Sequence, residues 1–167
     1  MTLSTEEQKK ARLKALRLLE RMDRTEKGLK NRMVQCGFSS EAVQDAVDYV
    51  KGFGYVNDER YASHYISGRI RTKSRQQIMR ELMQKGLDRD TADRIWKELA
   101  ETEEPQEQEM IREHILKKYN ENTALNEKEM RRLYSFLTRR GFSMNDISKV
   151  LEEMKITVQY EKHKTIY

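Results

Sequence analysis

The residues with the most chemical character in this sequence are cations, and they cluster. From Arg60 to Arg89 stand eight Lys or Arg (Arg60, Arg69, Arg71, Lys73, Arg75, Arg80, Lys85 and Arg89) against two acids, Glu81 and Asp88, a local net of +6. A run this basic either sits in solvent or faces a polyanion or an acidic protein surface. A second basic group follows at Arg131, Arg132, Arg139 and Arg140. Between the two, residues 90–109 carry eight acids and two bases, a net of −6.

Residues suited to covalent or metal chemistry are sparse. His64, His114 and His163 lie far apart, with no zinc-like spacing around them, and read as surface or satisfied interfacial residues. Cys36, just ahead of Gly37, reads as a small buried apolar residue; a single cysteine cannot form an internal disulfide and suits a reducing cytoplasm. There is no Gly-rich loop followed by Lys-Ser/Thr, so no phosphate loop, no cofactor and no metal are expected, and the chain reads as non-enzymatic. Residues 51–57 (KGFGYVN) fit the first seven positions of an RNA-recognition motif, but its eighth position is Asp58 where an aromatic is needed, and the flanks are helical. The stretch is better read as a bend: Gly52 and Gly54 turn the chain, Phe53 and Tyr55 plug a seam, and Asn57 or Asp58 caps the next helix.

The elements that must position these cations are helices. Charged and apolar residues each make up 37% of 167 residues, with seven Gly and one Pro. That balance suits a thin, elongated helical protein in which most residues meet water. Net charge is +5 and the pI about 9.2. No apolar run approaches the roughly 20 residues of a membrane span, and the first ten residues lack an apolar signal core, so a cytoplasmic protein is expected.

Apolar residues recur at helical spacing over 6–23 (Ala11, Ala15, Leu18, Leu19, Met22), after Thr25 (Leu29, Met33) and after Ser39 (Val43, Ala46, Val47, Val50). The same grammar returns twice. Tyr61, Ala62, Tyr65, Ile66 and Ile70 form one face; Ser74 and Gln77 form a capping-box pattern ahead of Ile78 and Leu82; Asp88 caps a helix with Ala92, Ile95, Trp96 and Leu99 inside. The third round starts near Pro105, placed at a helix first turn, with Ile111, Ile115 and Tyr119. Asn126 and Glu129 then cap a helix carrying Met130, Leu133 and Leu137, and Ser143 caps one carrying Ile147, Val150, Leu151 and Met154.

Three helix-ending glycines, Gly37, Gly86 and Gly141, stand 49 and 55 residues apart. Eight before them are Leu29, Ile78 and Leu133; four before, Met33, Leu82 and Leu137; two after, the caps Ser39, Asp88 and Ser143. The expectation is an all-α chain of three tandem three-helix repeats forming an elongated, curved array: 1–55, 56–104 and 105–156, with a tail at 157–167 in which Val158 and Tyr160 could extend.

Three segments resemble motifs of the RecX regulatory family. Residues 54–62 (GYVNDERYA) are similar to its G-Y-[LIV]-[DN]-D-x-x-[FY]-A signature. Residues 78–87 (IMRELMQKGL) resemble its second-module motif, and 136–142 (FLTRRGF) its third. Two departures are local: Gly28 stands where a Glu is usual, and Thr72-Lys73-Ser74-Arg75 replaces a Lys-Gly-x-Gly turn. The resemblance implies a negative regulator of the RecA recombinase, lying in the groove of the RecA–DNA filament. Its expected effect is to suppress filament growth, ATP hydrolysis and strand exchange, and so to modulate DNA repair and recombination.

On that reading Arg60, Arg69, Arg71, Lys73, Arg75, Arg80 and Lys85 are the central contacts, with Arg131, Arg132, Arg139 and Arg140 at the far end. Their role is electrostatic, towards acidic RecA surface or towards phosphates of single- or double-stranded DNA. A monomer is expected, with no membrane partner. The competing readings are a stand-alone DNA-binding helical module and a helical scaffold for another protein.

Overall fold

A computed structural model describes residues 4–161; His163 and the last residues of the tail lie outside them. Nine helices are found among the described residues: α1 Thr5–Arg21, α2 Glu26–Gln35, α3 Ser40–Gly52, α4 Asp58–Ser67, α5 Arg75–Gln84, α6 Arg89–Glu103, α7 Glu107–Leu116, α8 Glu127–Arg139 and α9 Met144–Glu153. The periodic stripes become their buried faces. Leu29 and Met33 on α2, Leu82 on α5, Ile111 and Ile115 on α7 and Leu137 on α8 are all fully buried. Truncating such a leucine to alanine typically costs about 2–5 kcal/mol.

The helix starts follow from side-chain caps. Thr25, Ser39, Asn57, Ser74, Asp88, Asn126 and Ser143 each accept a hydrogen bond from the backbone amide three residues on, at 2.8–3.2 Å. Asn126 and Glu129 form a reciprocal box, the Glu129 carboxylate accepting from the Asn126 amide at 3.0 Å. Each cap satisfies an otherwise orphaned amide and contributes about 1 kcal/mol. The stops are also as expected: Gly37, Gly86 and Gly141 all sit near φ +90°.

Four local expectations need correction. Met22 is not on the buried face; it is the C-cap of α1 and 57% exposed, because the helix ends one residue earlier. Phe53 and Tyr55 plug nothing. They are 61% and 52% exposed, stacked on each other at 5.9 Å, with Tyr49 edge-on to Phe53 at 5.1 Å. Pro105 lies outside α7, one residue before its N-cap Gln106, since Glu104 takes a left-handed turn (φ 48°) first. Cys36 is only half-buried. One element is new: β1 Ala124–Asn126 pairs in parallel with β2 Thr157–Gln159, placing Val158 opposite Leu125. Val158 does extend, and it does so against the loop that precedes α8.

The chain divides into two compact units, Met1–Gly68 with Met79–Thr102, and Arg69–Ile78 with Glu103–Tyr167. In the first, Ala11, Ala15, Leu18, Leu29, Met33, Val43, Ala46, Val47, Val50 and Val56 share one core. In the second, Ile111, Ile115, Leu125, Leu133, Leu137, Phe142, Ile147, Val150, Leu151 and Met154 share another.

Each unit contains one version of the same joint. In the first, the Thr25 hydroxyl accepts from the Gly28 amide and donates to the Lys85 carbonyl. In the second, the Ser74 hydroxyl accepts from the Gln77 amide at 3.2 Å and donates to the Arg140 carbonyl at 2.7 Å. Thr25 and Ser74 are the buried polar residues among those described. The N-cap hydroxyl of one repeat's second helix thus docks on the turn that ends the next repeat's second helix. The glycines in those turns carry a double constraint. A Cβ on Gly86 would lie 2.5–2.9 Å from the Lys27 side chain, and one on Gly141 would meet the Ser74 hydroxyl and lie 3.1 Å from the Gln77 amide nitrogen. A Cβ on Gly37 would meet nothing within 4 Å.

Alanine at these glycines separates the two constraints. Gly37→Ala is expected to cost only the left-handed backbone term, about 1–2 kcal/mol. Gly141→Ala adds the clash and disrupts the Ser74 bond, for a loss on the order of 3 kcal/mol or more. Urea denaturation of the two variants against wild type reads the difference directly.

Candidate functional site

The structure disperses the predicted cations and then gathers some of them unexpectedly. Arg60, Arg80 and Lys85 belong to the first unit. Arg60, in the first turn of α4, donates to the Gly54 carbonyl at 2.8 Å and to the Tyr55 carbonyl at 3.4 Å, so it braces the α3–α4 turn. Lys85 places its ammonium 5.7 Å from the Tyr65 ring, while its carbonyl serves the Thr25 joint. Arg80 is exposed on α5 and enters no ion pair among the described residues.

Arg69, Arg71, Lys73 and Arg75 belong to the second unit. The Arg69 carbonyl accepts from the Thr72 and Lys73 amides at 3.0 and 2.9 Å, closing a tight turn ahead of α5. Arg71 is 76% exposed and 3.4 Å from Glu103, an ion pair worth little at that exposure. The Arg75 amide donates to the Glu107 carboxylate at 2.6 Å. Burial pushes that carboxyl up in pKa, and the Arg75 bond offsets part of the rise.

The joint at Ser74 brings this turn onto the end of α8. Because Ser74 bonds Arg140, the backbone of Lys73 and Arg75 runs directly beside that of Arg139 and Arg140. Cations 66 residues apart in sequence therefore share one region, whereas the sequence had assigned them to the centre and to the far end. Arg139 donates to the Ser135 carbonyl at 3.2 Å and Arg140 lies over the Phe136 ring at 4.5 Å. Arg131 and Arg132 are exposed near the start of α8, away from the Ser74 joint.

Sequence reasoning missed four residues of this region: His114, Lys117, Lys118 and Phe136. Lys118 also lies over the Phe136 ring, at 4.5 Å, and His114 stands edge-on to it at 5.8 Å and 5.9 Å from Phe142. The doublet Lys117-Lys118 was a visible signal, but its proximity to Arg140 is a tertiary fact.

Comparison with known proteins decides the family. Three family models match in order: the RecX first three-helix domain over residues 11–49, the second over 57–94 and the third over 104–151. The chain belongs to the RecX family of regulatory proteins. It is 34% identical over 146 residues to the regulatory protein RecX of Caldanaerobacter subterraneus subsp. tengcongensis, covering 87% of this chain and 71% of that one. With the RecX protein of Clostridium perfringens strain 13 it shares 27% over 151 residues, covering 87% and 68%. The crystal structure of RecX from Lactobacillus salivarius superposes with a TM-score of 0.67 at 19% identity, over 90% of this chain and 98% of that one. A second crystal structure, of a regulatory protein RecX, gives 0.68 at 23% identity, over 93% and 79%. At those identities the two structures speak for the fold, which is the three-helix repeat of RecX. Among the described residues no helix is long and apolar enough to cross a membrane.

The RecX fold sets His114 in a cationic, partly buried place, and this has a measurable consequence. Burial first, then Arg140 and Lys117, hold its imidazole below the usual 6.5, with Glu113 opposing. A histidine whose folded pKa is depressed contributes stability fully above its unfolded pKa and loses it as pH falls towards the folded value. The stability difference between wild type and His114→Leu is therefore expected to be flat above about pH 7 and to shift against the wild type below 6.5. Taking the difference cancels Glu107, which titrates in both proteins with the opposite sign. Chemical denaturation at stepped pH measures it.

Proposed function

We propose that this chain is a cytoplasmic, monomeric, non-enzymatic negative regulator of the RecA recombinase. It acts by occupying the groove of the RecA–DNA filament, and thereby restrains ATP hydrolysis, filament growth and strand exchange in DNA repair and recombination. The observation that carries this reading is the ordered match of all three repeats to the three RecX domains. The repeats are read as modules 1–55, 56–104 and 105–156, followed by a tail. The placement of Arg69, Arg71, Lys73, Arg75, Arg139 and Arg140 in one unit supports an electrostatic contact surface there. Arg60, Arg80, Lys85, Arg131 and Arg132 complete the proposed set. Charge-led docking of this kind is fast and weakens with salt.

The test is ATP hydrolysis by preformed RecA filaments on single-stranded DNA, with this protein titrated in. Hydrolysis is expected to fall as the protein is added. The variant Arg71→Ala/Lys73→Ala/Arg75→Ala is expected to need roughly tenfold more protein for the same inhibition, at about 0.5 kcal/mol per rim charge. Its melting temperature should stay within about 3 °C of wild type, because Arg71 and Arg75 are exposed, Lys73 is only partly buried, and charge pairs at such positions contribute little. Undiminished hydrolysis with wild-type protein rejects the regulator reading. Full inhibition by the triple variant at physiological salt rejects the role given to those three residues.

A further inference from the structure

Cations converge on one ring in the second unit. The Lys118 ammonium and the Arg140 guanidinium each lie 4.5 Å from the Phe136 centroid. Lys117 is the C-cap of α7 and Arg140 the C-cap of α8. Lys117, Lys118 and Arg140 are exposed, and among the described residues none enters an ion pair. Two helix C-termini meet here, and each carries about half a negative charge. Together they offset about one of the three cations; the sequence neighbours Glu113 and Arg139 add one charge of each sign. A surplus of about two positive charges remains. The helix dipoles account for cations at these ends but not for the surplus.

The ring organises those charges. A cation over an aromatic face gains about 0.5–1 kcal/mol at an exposed site, which restrains two long side chains against the same ring. A ligand that uses both then loses less rotamer entropy on binding. The guanidinium over the ring has several N–H donors to offer an acceptor.

We propose that Lys118 and Arg140, with Lys117 and His114 beside them, form a binding site for the phosphodiester backbone of nucleic acid. Phosphate contacts need only Lys, Arg and polar donors. A protein partner would be anchored by a buried apolar or aromatic core, and such cores are poor in lysine. Here the Phe136 ring already carries two cations and Phe142 is buried, so neither offers an apolar anchor or a platform for bases. The site reads charge and spacing, not base sequence. It stands independently of RecA, because it is measured on nucleic acid alone.

The experiment is fluorescence anisotropy of a labelled single-stranded oligothymidine with the intact chain across a salt series. For Lys117→Gln/Lys118→Gln/Arg140→Gln, affinity is expected to fall at least tenfold. The log–log salt slope should become shallower by about two, at about 0.7 for each phosphate no longer neutralised. Lys9→Gln/Lys10→Gln/Arg17→Gln removes three exposed charges from α1 and should change both quantities little. His114 gives a local readout: facing Lys117 and Glu113 from α7, Arg140 from the α8 end, and the Phe136 and Phe142 rings, it should titrate higher by NMR when oligothymidine is bound. Equal losses from both triple variants would mean attraction to net charge alone and overturn the site. So would an unchanged cluster variant, or polyglutamate bound as tightly as oligothymidine through the same residues.

Discussion

Two hydroxyl groups hold successive repeats in register. Thr25 and Ser74 each cap their own helix and, with the same oxygen, donate to a carbonyl of the following repeat. A hydroxyl is the smallest group that can both accept and donate, so one buried oxygen satisfies an orphan amide on one side and a turn carbonyl on the other. Neither polar atom is left unpaired, which is why this bond tolerates burial. The close approach it demands excludes a side chain at Gly86 and Gly141. Local and tertiary order are thereby coupled: a change that frays the cap also releases the neighbour.

That coupling explains which parts of the fold were readable. The repeat, the caps and the core stripes are local patterns, and the chain honours them at Thr25, Ser39, Asn126 and Ser143 almost without exception. The glycines were readable as left-handed stops, yet the second reason for Gly86 and Gly141 was not, because Lys27 and Ser74 lie 59 and 67 residues away in sequence. The departures noted at Gly28 and at residues 72–75 fall at these joints, where a threonine or serine cap is the working part.

The candidate site was less legible. Charge density marked a stretch but could not divide it between two units, nor see that Arg140 would come to lie beside Arg75. Lys117 and Lys118 merely trail the apolar stripe of α7 at Ile111 and Ile115, and the ring that Lys118 meets lies on another helix, so no local pattern marks them. Phe53 and Tyr55 failed for the opposite reason. Aromatic residues in a turn suggest a buried plug, but Tyr49 and Phe53 satisfy each other edge-on and Arg60 ties off the turn's carbonyls, so the rings stay in water. The β1–β2 pairing was invisible because each strand is three residues long.

The single tryptophan, Trp96, is buried on α6 and belongs to the first unit. The second unit has tyrosines and phenylalanines but no indole. Intrinsic fluorescence is therefore a private reporter of one unit, while helical circular dichroism sums over both. A denaturation followed by the two signals together is a direct test of cooperativity. Coincident curves would mean that the repeats melt as one body; an indole signal that departs from the helical one would mean that half of the chain can let go while the other half stays folded.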